Sequence, residues 1–193
     1  KKRTLFCMFL LVLINPKDAV SIGFNAGQGA QGSGAISIGI TCGLTGQAQD
    51  SIAIGQRCQQ TGPTAVAGRA IAIGYEAQKS GYAQGIAIGD RAGTLGQGVH
   101  SIAIGSTAGS NTQGASSIAI GRIAGQISQG PDAIAIGFQC GQTNQYTGSI
   151  AIGSYAGSAS AGSYSVCIGY QAGQSNAGNA GVMIGYRAGA IGS

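Results

Sequence analysis

The sequence predicts an all-β chain, a parallel β-solenoid (β-roll) of about eleven 16-residue coils. Three observations carry that prediction. The string Ser-Ile-Ala-Ile-Gly or a close variant recurs, its last Gly falling at 23, 39, 55, 74, 89, 105, 121, 137, 153, 169 and 185. Eight of the ten steps are 16 residues, and the other two are 19 and 15. A 16-residue unit is too short for a strand–helix–strand repeat, which needs about 30 residues. The composition is the third observation. Gly accounts for 37 of 193 residues and charged residues for 8%, against about 7% and about 25% in ordinary globular chains. Gly at that density weakens helices by about 1 kcal/mol per interior residue, and only 3 Pro are present, so neither a bundle nor a collagen-like helix fits.

The segment 102–117, IAIGSTAGSNTQGASS, is a clean copy of the unit. Position one is Ile or Val and position three is Ile in every unit, while position two between them is small in ten of eleven, Met183 excepted. Strict alternation with β-branched residues predicts a strand, with both Ile on one face and the small residue on the other. The bulky apolar pair is expected to face the coil interior, together with Ala at position seven. Position two then becomes an uninterrupted small-residue stripe, the expected axis-facing seam of an oligomer. Gly at positions four and eight flanks corners where a positive φ or a missing Cβ is needed. A second short strand and a second tight turn complete the coil.

Position seven holds Cys42, Cys58 and Cys140 where other units have Ala, and Cys167 sits in the small slot of position two. These are expected to be small buried thiols. Cys42 and Cys58 stack on neighbouring coils, where a disulfide could form only under strain, and five Cys is an odd number for a complete disulfide framework. Gln31, Gln47, Gln97, Gln113, Gln129 and Gln145 share position twelve. An amide ladder running up that column is expected, with a solvated turn residue as the alternative.

Some segments do not repeat. Residues 1–17, KKRTLFCMFLLVLINPK, place basic residues before an apolar run. They read as a signal-like segment, or as a hydrophobic cap on the first coil, or as a remnant outside the fold; the run is shorter than the roughly 20 residues of a membrane span. Residues 18–193 form the repeat domain. Its last unit has no visible cap, so the stack is expected to continue or to be covered by another molecule. The 19-residue step carries Gly62-Pro63 and should bulge from one turn, and the 15-residue step loses a residue near Tyr82.

Chemistry is sparse. The single His, His100, has no catalytic partner in sequence, and the five acids Asp18, Asp50, Glu76, Asp90 and Asp132 are dispersed. No catalytic, cofactor-binding or metal-ligating residue is predicted, and no enzyme. Four of the ten basic residues (Lys1, Lys2, Arg3, Lys17) precede the repeats. The remainder carries no basic stripe for nucleic acid, and no membrane insertion by the repeats is expected. Five of the seven Tyr lie at 146, 155, 164, 170 and 186, a concentration suited either to protein or glycan contact or to turn packing.

Ser-Ile-Ala-Ile-Gly-x-x-Ala, repeated over residues 18–193, resembles the YadA-like head domain of trimeric autotransporter adhesins. Related IGxxAGxxxQG repeats also look like those of viral and phage fibre proteins. The resemblance implies a homotrimer of left-handed β-rolls at a cell or virion surface, attached to a host cell surface, matrix protein or glycan. The chain departs from the family pattern in its 16-residue period, in its Cys content and in showing no stalk or anchor. The expected function is therefore a structural and adhesive fibre head that holds variable turn residues for multivalent attachment. The alternatives are an ice-binding or a purely scaffolding solenoid. Position ten (Gly29, Thr45, Thr61, Ser80, Leu95, Asn111, Ile127) lacks the Thr array that ice binding wants.

Overall fold

A computed structural model describes residues 18–29, 31–59, 69–79 and 84–189. The signal-like or capping segment 1–17, the insertion at Gly62-Pro63 and the deletion near Tyr82 lie outside the described residues. What is described is all-β, a solenoid of stacked coils. Eleven three-residue strands, from Val20–Ile22 to Val182–Ile184, form one parallel sheet in chain order. At about 4.8 Å per strand that sheet is roughly 50 Å long. Like pairs with like along it: Ile102 with Ile118, Ala103 with Ala119, Ile104 with Ile120. The register survives both irregular steps, with Ile52 opposite Ile71 and Ile71 opposite Ile86.

The second strand is less regular than expected. It forms in four coils, Leu95–Gln97, Asn111–Gln113, Ile127–Gln129 and Thr143–Gln145, which make a four-stranded parallel sheet. Beyond it only isolated bridges join Gln145 to Ala161 and Ala161 to Ala177. Elsewhere in the described coils the same stretch is turn or irregular backbone.

The assignment of strand faces is reversed. The small residue of position two points inward, and Ala53, Ala72, Ala87, Ala103, Ala119, Ala135, Ala151 and Cys167 are fully buried. The Ile of positions one and three lie on the outside, half-buried in most coils and exposed at Val20, Val182 and Ile184. The reason is the width of the coil. Sixteen residues close so tight a loop that its interior holds methyls, cysteine sulfurs, Ser hydroxyls and Gln side chains, with the Met183 thioether packed against it in the last described coil. Position two therefore cannot be the seam of an oligomer. Position seven behaves as expected, with Ala77, Ala92, Ala108, Ala124, Ala156 and Ala172 fully buried in the same cluster.

The corners follow the Gly logic. Gly105 has φ +126°, and a Cβ there would stand 2.6 Å from the carbonyl oxygen of Gly121 on the next coil. Gly109 has φ +52°, and its Cβ would collide with Gln113 Oε1. Three further corner positions bear side chains in the left-handed region. In the coil 102–117 they are Thr107 at φ 56°, Thr112 at 59° and Ser116 at 56°. The conformation recurs at position six in all eleven coils, from Asn25 to Arg187. Ser at position sixteen secures the second turn: Ser101, Ser117, Ser149 and Ser165 each donate their hydroxyl to the carbonyl three residues back, at 2.7 Å.

Candidate binding surface

The interior determines which residues are left to face outward. At position twelve the Gln side chain crosses the coil. Gln31 Nε2 donates to the Val20 carbonyl at 2.9 Å and to the Ala35 carbonyl at 3.0 Å. The same acceptors, positions one and sixteen of the coil, serve Gln47, Gln97, Gln113, Gln129 and Gln145. The amide is thus a strut within a coil, and the expected ladder reduces to one link, Gln129 Nε2 to Gln145 Oε1 at 3.2 Å. The carbonyls that flank the strand engage the amide N–H groups in every one of these coils, and only Gln129 also reaches the next coil.

The amide oxygen depends on position two. Where that residue is Ser, its hydroxyl donates to the oxygen: Ser21 to Gln31 at 2.6 Å, and Ser37 to Gln47 likewise. Where it is Ala, the oxygens of Gln97, Gln113 and Gln129 are buried with no donor, while that of Gln145, ten residues after Ala135, is served by the Gln129 link.

Cys42 and Cys58 are joined by a disulfide between consecutive coils, their Cα atoms 4.9 Å apart. Coil stacking brings them within bonding range, so the expectation of free thiols is corrected for this pair. Cys140 and Cys167 are free and fully buried. Burial pushes the Cys140 thiol up to about 12 and raises Cys167 as well. Neither is poised as a nucleophile.

The other charged side chains among the described residues lie outside the coil interior. His100 Nε2 meets Gln84 Oε1 at 3.0 Å on the adjacent coil, in an exposed setting. Glu76 pairs with Lys79 at 3.1 Å and with Arg57 at 3.8 Å, and the Lys79 hydrogen bond lowers its pKa. No group of three or more His, Cys, Asp or Glu able to hold a metal ion occurs among the described residues. No helix there is long and apolar enough to cross a membrane.

Two surface features extend over several coils. The first is the outer face of the long sheet, two parallel columns of Ile and Val. The second is an aromatic column along the first turn. Arg122 lies 4.9 Å over the Phe138 ring. Phe138 meets Tyr155 edge-on at 5.3 Å, Tyr155 meets Tyr170 at 6.1 Å, and Tyr170 stacks on Tyr186 at 5.5 Å. The Tyr-rich last third therefore divides. Tyr155, Tyr170 and Tyr186 join this column, whereas Tyr146 and Tyr164 stand on the second turn. Tyr164 lies against Gly148, where an added Cβ would strike its ring. The sequence places five of its seven Tyr in this third but does not separate the two turns without the coil in hand. Compared with protein-family models, curated proteins and solved structures, the chain matches none, so its likeness to adhesin heads rests on the repeat motif.

Proposed function

We propose that the chain is a structural, adhesive fibre segment that assembles with copies of itself through the Ile face and displays its turns to a surface outside the cell or virion. It is given no catalytic role. The observation that carries this reading is the outer face of the long sheet. Its Ile columns run along the described coils, half-buried in most of them and exposed at the two ends, and a continuous apolar strip left partly open to solvent marks an interface. Two columns on one face let each chain meet one neighbour with position one and another with position three. Such a head-to-tail contact closes into a ring when the rotation fits, which agrees with the trimer implied by the motif. The turns then project outward at one-coil spacing, and three copies multiply any weak contact they make. Cell surface, matrix protein and glycan are the partner classes this reading serves.

Light scattering on the full chain tests it. A particle of three times 18.9 kDa is expected, and Ile104→Asp with Ile120→Asp should release single chains that keep their β-type circular dichroism. The half-exposed position of both side chains leaves the coil interior untouched. A wild-type chain that stays monomeric at micromolar concentration overturns the assembly. Attachment is read separately, by binding of bead-coupled protein to cells and matrix-coated surfaces.

A further inference from the structure

The second sheet stops at Thr143–Gln145, and past it position twelve changes from Gln to Ala161 and Ala177. At this place the second turn opens into a cleft of about 450 Å³, within the roughly 300–1,000 Å³ of small-molecule sites. Tyr146, 50% exposed, walls it from position thirteen. The next two coils carry Gly162 and Gly178 at that position, so no side chain fills the space beside the ring. Ser160, Ser163, Asn176, Ala177 and Asn179 supply the rest of the lining. Asn179 Oδ1 accepts the Ser163 backbone N–H at 2.9 Å, which fixes the carboxamide and leaves its Nδ2 group to donate.

We propose that this cleft binds a neutral saccharide of about disaccharide size. The lining holds no charged side chain, which disfavours sialylated, sulfated or phosphorylated ligands. It pairs one aromatic ring with hydroxyls and carboxamides. An aromatic ring can stack on sugar C–H groups, and the polar groups can both donate to and accept from sugar hydroxyls. Tyr with Ser, Gly and Asn is also the combination that binding loops use, rigid ring area beside adaptable hydrogen bonding. The cleft belongs to the second turn, apart from the Ile columns, so assembly through the latter leaves it open. The proposal rests on the attachment reading above and names a ligand class for it.

Saturation-transfer NMR on the full chain tests it, with lactose, cellobiose, mannobiose and N,N′-diacetylchitobiose as probes and sialyllactose as the charged control. At least one neutral disaccharide should receive saturation at millimolar concentration, independently of salt. Gly178→Leu should weaken that binding at least tenfold. A Cβ at Gly178 meets no atom within 4 Å and the residue has no positive φ, so the variant fills the cleft and keeps the fold. Tyr146→Ala should weaken binding similarly. Absence of binding by every neutral probe overturns the proposal, as does undiminished binding by Gly178→Leu or preference for sialyllactose. If Gly178→Leu beads attach to cells as well as wild type, the cleft is dismissed and attachment stands. If wild-type beads attach nowhere while the cleft binds sugar, the attachment reading fails alone.

Discussion

Replacing Ala103 by Ser should stabilise the solenoid, although it puts a hydroxyl into a fully buried methyl site. Ala103 stands ten residues before Gln113, whose Oε1 is buried without a donor. Two coils nearer the N-terminus show the outcome, because Ser21 and Ser37 occupy the same slot and donate to Gln31 and Gln47. An unsatisfied buried acceptor costs about 1–3 kcal/mol, and a typical buried hydrogen bond contributes a net 0.5–1.5 kcal/mol, so a gain of about 1 kcal/mol is expected. In a chain of this length that is a rise in Tm of about 2–4 °C. Ala87 and Ala119 stand in the same relation to Gln97 and Gln129, so the triple Ser variant should gain about three times as much. Calorimetry of the wild type, the single and the triple variant reads the effect, and Ser37→Ala should lose about 1–3 kcal/mol as the converse. If Ala103→Ser lowers Tm while Ser37→Ala leaves it unchanged, the pairing of positions two and twelve is wrong.

Three further outcomes are expected. The Cys42–Cys58 bond closes a loop with a sequence separation of 16; replacing both by Ala should cost about 3 kcal/mol on loop entropy, read by denaturant titration against the oxidised wild type. Cys140 and Cys167 should resist iodoacetamide at pH 8 in the folded chain and react on unfolding, because thiols raised by burial, Cys140 to about 12, hold their protons there; peptide mapping distinguishes them from Cys7, which lies outside the described residues. Gly105→Ala places a Cβ 2.6 Å from Gly121 O at φ +126° and should destabilise severely, by more than the about 1 kcal/mol typical of point mutants, whereas Ser106→Ala on the adjoining turn should stay within about 0.5 kcal/mol; equal melting shifts would contradict the Gly column.

Periodicity made the solenoid and its register legible, because a repeat that stacks must pair like with like. Alternation also separated Ile102 and Ile104 from Ala103. It could not say which face is inside, and the ordinary ranking of apolar residues favours the bulkier. The deciding quantity is the cross-section of a 16-residue coil, visible only once Gln113 is seen to span it. The Gln column illustrates the same limit. A conserved spacing along one chain fits a ladder and a strut equally well, and only the position of the Val20 and Ala35 carbonyls beside Gln31 selects the strut. The left-handed corners at Thr107 and Ser116 carry no Gly to announce them. The cleft beside Tyr146 needs three coils superposed before Gly162 and Gly178 become a gap.

Those left-handed corners bear on how the molecule comes to exist. A side chain in that region costs about 1–2 kcal/mol, so Thr107, Thr112 and Ser116 load one coil with about 3–6 kcal/mol before it touches anything. A lone coil cannot recover this, since most of its backbone hydrogen bonds run to the coils above and below. Thr107 N–H, for example, donates to Asp90 O, and Ser116 N–H to Val99 O. Folding must therefore begin with a rare nucleus of several coils closing together. Each later coil is then laid on a finished template, as a layer is added to a crystal face. The time to fold should be set by seeding and depend only weakly on how many repeats the chain carries, and once a seed exists the chain can lengthen by whole coils without a new folding problem.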